Sequence, residues 1–290
     1  FNTGGAVEGS TVIGRDGTAY IGSASGWLYA IDTATGEEKW KYAYDERQPS
    51  RQPVMTSPGL AHGVVFAGFG KWGGAYVGVD AETGKAVWKL RGRSPNDGLL
   101  GPTVDGTTFY APVNDNVLMA ADIRTEIPLE NFDNSGHHCK ASVAILGDHL
   151  FYQRGPALKI ARKTDGRKLA ELYLREAGLS FFPQSGPTAT EDRGYVAKGN
   201  NVLYCLDIKG MPTLPEIWNV DLPAQVRSSL GLAGNTLYFG CDDGNVYALD
   251  RHTGKKRWNF KTDGPVASSP WIDQGAVYVG SEDGFVYALK

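Results

Sequence analysis

The sequence predicts an all-β fold, a seven-bladed β-propeller of four-stranded antiparallel blades, from three observations. A motif of short, alternating apolar runs occurs seven times along the chain. Successive copies lie about 43 residues apart, a spacing typical of propeller blades. Glycine is abundant, with 38 residues in 290, and it recurs at regular positions that favour tight turns.

The repeat is marked by an aromatic residue in its middle strand, with intervals of 46, 44, 41, 44, 43 and 40 residues. These markers are Tyr20, Phe66, Tyr110, Phe151, Tyr195, Tyr238 and Tyr278. The apolar runs around them alternate and are bounded by Gly, Asp or Asn, which favours strands over helices. Pairs such as Asp16-Gly17 and Asp243-Gly244 supply residues that tolerate positive φ in tight hairpins.

A second signature, Asp-x3-Gly-x3-Trp, follows the third strand of three repeats. Its copies begin at Asp32, Asp80 and Asp250. The Asp side chain can hydrogen-bond the backbone of the turn, and the Gly can adopt the left-handed conformation. We expect the Trp to lie on the outer strand and pack between blades. The predicted docking residues are Trp40, Trp88, Trp218 and Trp258. The segment from Asp207 to Trp218 is three residues longer than the signature in the other repeats.

Repeats three and four depart from this signature. Repeat three keeps Asp122 but has Glu126 and Glu130 where Gly and Trp are expected. Repeat four has Arg162 and Ala170 in place of Asp and Trp. Two interpretations stay open: sequence drift, or a site for a ligand or partner.

The predicted domain is a single propeller with the ring seam between the two termini. The expected blades cover approximately residues 5–44, 52–93, 96–136, 138–178, 180–224, 225–264, and 265–290 together with 1–4. Phe1–Thr3 is similar to the end of an outer strand, so it could complete the seventh blade. Alternatively the chain is excised or processed from a longer protein, which is the interpretation we favour.

The Asp-x3-Gly-x3-Trp signature resembles the tryptophan-docking repeat of the quinoprotein alcohol dehydrogenase-like (PQQ-type) propellers. The same repeat builds outer-membrane assembly lipoproteins of the BamB type and sensor propellers attached to some bacterial serine/threonine kinases. The resemblance covers nearly the whole chain and is more specific for fold than for function. It implies a periplasmic or other extracytoplasmic location in a bacterial-type cell.

We expect no cofactor and no metal, and specifically not pyrroloquinoline quinone (PQQ), despite the resemblance. The dehydrogenases of that family are about twice as long and carry a vicinal cysteine pair, calcium ligands and often a haem motif. Here Cys139, Cys205 and Cys241 lie far apart in the sequence. His137 and His138 adjoin Cys139, but no second His/Cys cluster accompanies them.

Charge and hydropathy exclude two classes of partner. A net charge of −3 gives the chain as a whole no bias towards nucleic acid. The longest apolar run, residues 141–146, is far shorter than the roughly 18 residues that indicate a membrane span.

Propeller geometry predicts a candidate site at the funnel mouth, where the inner strands begin. One register there comprises Glu8, Met55, Leu99, Lys140, Gln184, Arg227 and Ala267. The turns between second and third strands, expected on the same face, contribute Lys71, Trp72, Asn114, Asp115, Gln153, Arg154 and Lys198, with Arg51 and Phe182 in neighbouring connections. The predicted ligand-binding residues are Glu8, Arg51, Lys71, Trp72, Lys140, Arg154, Gln184, Lys198 and Arg227.

Six of these residues are basic although the chain is net acidic, and such a face would attract an anionic ligand or an acidic partner. Solvated loop charges, or an ion pair between Glu8 and Arg227, are the alternatives. We therefore expect a non-catalytic binding propeller, a scaffold or extracytoplasmic sensor domain that binds a protein, peptide, glycan or small anion. The enzyme alternative is a hydrolase or lyase in the same funnel, with Glu8 as the only candidate acid/base. A purely structural module is the third alternative.

Overall fold

The computed structural model describes residues 1–7, 9–70, 75–91, 101–113, 117–125, 143–154, 157–173, 185–197, 201–273 and 275–290. The chain forms two compact units, Phe1–Ser142 and Val143–Lys290. Each unit is built from antiparallel sheets whose strands follow one another in sequence order.

The first unit contains three sheets in its described residues. The first sheet consists of β1 (Val12–Ile13), β2 (Thr18–Gly22), β3 (Trp27–Asp32) and β4 (Glu38–Ala43). The second consists of β5 (Gly59–Ala61), β6 (Val64–Phe69), β7 (Ala75–Asp80) and β8 (Ala86–Arg91), and the third of β9 (Thr103–Asp105), β10 (Thr108–Val113) and β11 (Val117–Asp122). A 3₁₀ turn, Pro49–Arg51, connects the first two sheets.

The second unit contains four sheets in its described residues. The first consists of β12 (Ala144–Leu146), β13 (His149–Arg154), β14 (Ala157–Arg162) and β15 (Lys168–Tyr173). The second consists of β16 (Thr188–Ala189), β17 (Arg193–Ala197), β18 (Val202–Asp207) and β19 (Glu216–Asp221). The third consists of β20 (Gly231–Ala233), β21 (Thr236–Gly240), β22 (Asn245–Asp250) and β23 (Lys256–Lys261). The fourth consists of β24 (Trp271–Asp273), β25 (Ala276–Gly280) and β26 (Val286–Leu289).

These seven sheets confirm the predicted fold class, a seven-bladed β-propeller of four-stranded antiparallel blades. In the described residues the third and seventh blades show three strands each. The assignment of residues 1–4 to the seventh blade stays a prediction. In the structure, the Phe1 ring lies 5.3 Å from the Tyr29 ring, and the Thr3 carbonyl accepts hydrogen bonds from Tyr29 and Ser25.

Four blades share a row of three residues across the sheet, which we call the aromatic row. A ring on the second strand pairs with a small residue on the third strand, and that residue pairs with a Trp on the fourth. The four rows are Tyr20–Ala30–Trp40, Phe66–Gly78–Trp88, Tyr195–Cys205–Trp218 and Tyr238–Ala248–Trp258. The two rings of each row lie 5.5 to 6.0 Å apart, because the small residue leaves room between them.

The fourth blade fills the same row in the reverse manner. Phe151 pairs with Ile160, and Ile160 pairs with Ala170. The large residue therefore moves from the fourth strand to the third, and all three side chains stay buried. In this row Ile160 therefore takes up volume that Trp occupies in the regular blades.

The turn after the third strand is closed by an equivalent backbone hydrogen bond in repeat one and in the longer repeat five. The Asp32 N–H donates to the Glu37 carbonyl at 2.9 Å, and the Asp207 N–H donates to the Pro215 carbonyl at 2.7 Å. The three extra residues of repeat five are therefore accommodated inside a turn that still closes. Gly36, with φ of 74°, adopts the left-handed conformation that the signature predicts.

Two blades dock on the next blade through one backbone carbonyl. Trp40 Nε1 and the Tyr20 hydroxyl both donate to the Ala81 carbonyl, at 2.9 and 3.3 Å. Trp218 Nε1 and the Tyr195 hydroxyl both donate to the Arg251 carbonyl, each at 3.2 Å. The indole N–H of Trp88, which is buried, has no acceptor among the described residues.

Candidate functional site

In the second and seventh blades, the connection that enters the inner strand is held between two turns, each joining a second strand to a third. In the last blade, Val266 N–H donates to the Cys241 carbonyl of the preceding blade at 3.1 Å. The carbonyl of Pro265 accepts from Glu282 N–H of its own blade at 2.9 Å. Strand entry and turns therefore lie at the same end of the sheets, as the mouth prediction requires.

The residue that follows the predicted mouth register is a serine in the last two blades, and its hydroxyl binds the backbone at the end of the second strand. Ser228 Oγ accepts from Gly240 N–H at 2.9 Å, and Ser268 Oγ accepts from Gly280 N–H at 2.7 Å. A Cβ on Gly240 would lie 2.4 Å from Val266 Cγ1, so only glycine permits this close approach of neighbouring blades. The serines of this register were not recognised as site elements in the sequence, although their repetition is visible there.

Arg227, a predicted binding residue, links two turns through its guanidinium. Its Nε donates to Asp242 Oδ1 at 2.7 Å, and its Nη2 donates to Glu282 Oε1 at 2.8 Å. Burial lowers the pKa of the Arg227 guanidinium, but hydrogen bonds to Glu282 and Asp242 outweigh this effect and the net shift is upward. The arginine is thus a charged bridge between the turns of the sixth and seventh blades.

The acidic partners of Arg227 were missed in the sequence. Asp242 and Glu282 occupy the turn register from which basic candidates were taken in other repeats, so the signal was present. The next residue of each turn is also acidic: Asp243 accepts from the Tyr247 hydroxyl at 2.6 Å, and Asp283 accepts from the Tyr287 hydroxyl at 2.8 Å. This sector of the second unit is therefore acidic rather than basic.

Burial raises the pKa of the Asp243 carboxyl, and hydrogen bonds from Tyr247 and Asn245 outweigh that effect, so the net pKa is lowered. Asp243 is consequently ionised at neutral pH and acts as a hydrogen-bond acceptor. A general acid in this turn would need the opposite shift.

Arg51 is exposed at the end of the 3₁₀ turn of the first unit. This turn approaches Gly26 closely, since a Cβ on Gly26 would lie 1.9 Å from the Pro49 carbonyl oxygen. Gly26 belongs to the turn between β2 and β3. Arg51 therefore lies at the end of the sheet where the second strand turns into the third, which we call the turn end. Within its own unit, each of Arg51 and Arg227 thus lies beside a turn that joins a second strand to a third.

Most other predicted site residues cannot be placed. Glu8, Lys71, Trp72, Lys140, Gln184 and Lys198 lie outside the described residues, as do Leu99, Asn114, Asp115 and Phe182. Arg154 is the last residue of β13, and only its backbone is described. The degenerate segment that contains Glu126 and Glu130, and the His137–Cys139 run, also lie outside the described residues.

Gln153 is a buried polar residue at the turn end of the fourth blade. It replaces the glycine that Gly22, Gly68, Gly240 and Gly280 provide in the same register. Its Nε2 donates to the Ala197 carbonyl of the fifth blade at 3.2 Å, and its buried Oε1 has no donor among the described residues. The side chain therefore joins two blades and leaves one acceptor unsatisfied there.

The described cysteines and acids do not fit a quinone and calcium site. Cys205 and Cys241 are free, buried thiols of different blades rather than a vicinal pair, and burial raises their pKa values to about 11 and about 12. In the described ranges, no group of three or more His, Cys, Asp or Glu side chains is arranged to hold a metal ion. The part of the chain that the structure describes also contains no helix long and apolar enough to cross a membrane.

The fold and the repeated aromatic rows define a propeller of the PQQ-type repeat class. The chain belongs to the family described as outer membrane protein assembly factor BamB, whose profile matches residues 2–125 and 211–290. The matched ranges leave out the end of repeat three, all of repeat four and most of repeat five. The departures of repeats three and four at Glu126, Glu130, Arg162 and Ala170 therefore all lie outside the matched ranges.

Solved structures show the same fold at low sequence identity. The chain is similar to BamB from Moraxella catarrhalis, with a TM-score of 0.77 and 18% identity over 99% of this chain and 84% of that one. It is also similar to a europium-containing methanol dehydrogenase, with a TM-score of 0.72 and 14% identity over 93% of this chain and 72% of that one. A quinohemoprotein alcohol dehydrogenase from Comamonas testosteroni gives a TM-score of 0.70 and 16% identity over 94% and 63% of the two chains.

A curated relative, polyvinylalcohol dehydrogenase from a Pseudomonas species, is 33% identical over 116 residues. The alignment covers 39% of this chain and only 18% of that enzyme. This chain thus matches a small part of a much longer protein.

Proposed function

We propose that the chain is a non-catalytic binding propeller, an extracytoplasmic scaffold or sensor module that recognises an acidic protein segment or another anionic ligand at the mouth. Membership of the BamB family supports the scaffold role, since the family's description is that of an assembly factor. An extracytoplasmic location is part of the same proposal.

The observation that carries the proposal is the position of Arg227. This residue of the mouth register reaches the turn residues Asp242 and Glu282 of two successive blades. Residues of the register and residues of the turns can therefore act on one ligand. Because Arg227 already has two carboxylate partners, the anion-binding role falls mainly to Lys140, Arg154 and Lys198 of the preceding repeats.

The carboxylates described at this end of the second unit are engaged as hydrogen-bond acceptors, which supports binding rather than acid/base chemistry. Glu8, on which the hydrolase or lyase alternative depends, lies outside the described residues, and no observation favours that alternative. PQQ-dependent oxidation is not part of the proposal, because the described residues do not fit the cofactor.

A binding experiment tests the mouth. A fluorescein-labelled hepta-glutamate peptide, an oligogalacturonate and inorganic phosphate are titrated with the chain by anisotropy or calorimetry. We expect the Lys140→Ala plus Arg154→Ala variant to bind the preferred probe at least tenfold more weakly. The matched control is Lys209→Ala plus Arg257→Ala, which removes the same charge at the opposite end of the sheets, where Arg257 pairs with Asp250 at 2.6 Å. Equal binding by both variants would show that the mouth is not the site.

A further inference from the structure

Two arginines meet at His252, at the end of the sixth blade opposite its turn end. The Arg251 Nε donates to His252 Nε2 at 3.2 Å, and Nη1 of Arg193, from the fifth blade, donates to the His252 carbonyl at 3.0 Å. Arg251 and His252 follow Asp250 in the signature turn, and Arg193 begins β17. All of these residues belong to the second unit, where adjacent blades bring them together.

The signature turn does not need these basic side chains in order to fold. In the other two intact signature turns, the positions of Arg251 and His252 are occupied by Thr33-Ala34 and by Ala81-Glu82. In all three turns the glycine N–H donates to the aspartate carbonyl, at 2.8, 3.0 and 2.8 Å in chain order. The arginine and the histidine of the sixth blade are therefore available for a role other than closing the turn.

Arg251 is a partly buried cation without a counterion. In the described part of the chain, no carboxylate forms an ion pair with its guanidinium, whereas Arg257 of the same blade pairs with Asp250 at 2.6 Å. The Nε of Arg251 is directed instead at a ring nitrogen of His252, which carries no negative charge. Partial removal of a cation from water without a counterion costs free energy, and an anion bound at this place would offset that cost.

Arg193 adds a second guanidinium that lies near the first. Its Nε lies 3.4 Å from Asp192 Oδ2, so one carboxylate faces two guanidiniums. Burial and the neighbouring Cys205 raise the pKa of the Tyr195 hydroxyl to about 12. The charges of Arg193 and Arg251 both act on this pKa in the opposite direction. The two cations are therefore close enough to act on one group, and the cluster keeps an excess of positive charge.

We propose that Arg193, Arg251 and His252 form a binding site for a phosphate group. Two guanidiniums offer more N–H donors than the two oxygens of a carboxylate accept, whereas the terminal oxygens of a phosphate accept from both. The Nδ1 atom of the exposed His252 ring has no hydrogen-bond partner among the described residues and adds a polar contact. Inorganic phosphate and the phosphate of a lipid headgroup share this chemistry. The site lies at the opposite end of the sheets from the proposed mouth, and neither proposal depends on the other.

Two probes test the site: inorganic phosphate, and phosphatidylcholine vesicles with and without phosphatidic acid. Binding of phosphate is followed by NMR of the His252 ring protons at neutral pH and constant ionic strength, so that the signal reports this site alone. We expect a saturable shift with phosphate and none with acetate. The His62 ring, which lies in the first unit, is the internal control and should not respond. An equal response to acetate would overturn the proposal, because it would show only a general attraction of anions.

Arg251→Gln should weaken phosphate binding at least tenfold and should fold, because Thr33 and Ala81 occupy this position in the other turns. The matched control is Arg162→Gln at the same end of the fourth blade, where the guanidinium already pairs with Asp165 at 3.0 Å, and it should bind like the parent chain. Vesicle binding that requires phosphatidic acid and is lost in Arg251→Gln would assign the phosphate to a lipid headgroup. Binding of inorganic phosphate alone would assign it to the free anion. Equal binding by Arg251→Gln and the parent chain, or no saturable binding of either probe, would overturn the proposal.

Discussion

Trp218 donates its indole N–H to the backbone carbonyl of Arg251 in the following blade, at 3.2 Å. The Tyr195 hydroxyl donates to the same oxygen. Trp40 and Tyr20 repeat this arrangement on Ala81. In these two blades the signature Trp therefore does more than fill space between blades, because it also satisfies a carbonyl at the start of the neighbouring turn.

Trp40→Phe should lower the free energy of unfolding more than Trp88→Phe. Both changes remove part of a packed ring, but only Trp40 loses a hydrogen bond, whereas Trp88 loses a buried donor that has no acceptor among the described residues. We expect a difference of about 1–2 kcal/mol between the two variants. Urea denaturation followed by circular dichroism measures it, and an equal loss of stability would contradict the docking role of the Trp40 N–H.

The reversed row of the fourth blade predicts a compensating pair of substitutions. Ile160→Ala should cost about 2–5 kcal/mol because it leaves a cavity, and Ala170→Trp alone should cost about 1–3 kcal/mol because it overpacks the row. Together they recreate the pattern of the regular blades. The double variant should be more stable than the sum of the single changes by about 0.5–3 kcal/mol. Simple additivity in a double-mutant cycle would argue against volume exchange between these positions.

Gly240→Ala should destabilise the chain by about 1–3 kcal/mol, because the new Cβ would lie 2.4 Å from both Val266 Cγ1 and the Val266 carbonyl oxygen. Gly194→Ala is the matched control in the preceding blade. There the nearest atoms of Ile208 lie 3.6 Å away, an ordinary contact, so this variant should be neutral or slightly stabilising. Thermal melts of the two variants compare the sites directly.

The turn aspartates should make the fold sensitive to acid. The backbone and side chain of Thr83 donate to the Asp80 carboxylate and lower its pKa, and hydrogen bonds from Thr35 and Ala34 lower that of Asp32. A carboxyl whose pKa is lower in the folded state contributes stability above its unfolded pKa, and that contribution is lost as the pH falls through the folded pKa. The urea midpoint should therefore hold between pH 7 and pH 5 and fall below about pH 4. Asp32→Asn plus Asp80→Asn should reduce the size of that fall.

Cys205 and Cys241 should resist thiol reagents in the folded chain. Both are buried, and burial raises their pKa values to about 11 and about 12, so little thiolate forms at pH 8. Brief treatment with iodoacetamide followed by peptide mass spectrometry should find both unmodified, and both alkylated after unfolding in guanidinium. Rapid alkylation of either thiol under native conditions would show that its blade opens locally.

Sequence reasoning predicted the repeat well because its signals are local. The alternation around Tyr20, the Gly36 turn and the Trp40 position are all encoded within a few residues of one another. The exchange of volume between Ile160 and Ala170 was not predicted, because it depends on the strand register and a bulge that no short motif specifies.

The site was predicted less completely, for a physical reason. The mouth register of Arg227 could be aligned by counting, but its partners Asp242 and Glu282 come from two different blades. Opposite charges that are 15 and 55 residues away along the chain are brought together only by folding. The acidic turn residues were visible in the sequence, but their pairing with Arg227 was not.

The joins between blades rely heavily on backbone atoms, as where Val266 N–H meets the Cys241 carbonyl and Val54 N–H meets the Ser23 carbonyl. Such bonds do not depend on which side chains the two partners carry. Over evolutionary time, one blade can then lose its signature, as the fourth has, while its neighbours keep theirs. A lineage could in this way acquire a new recognition surface on one blade without redesigning the ring.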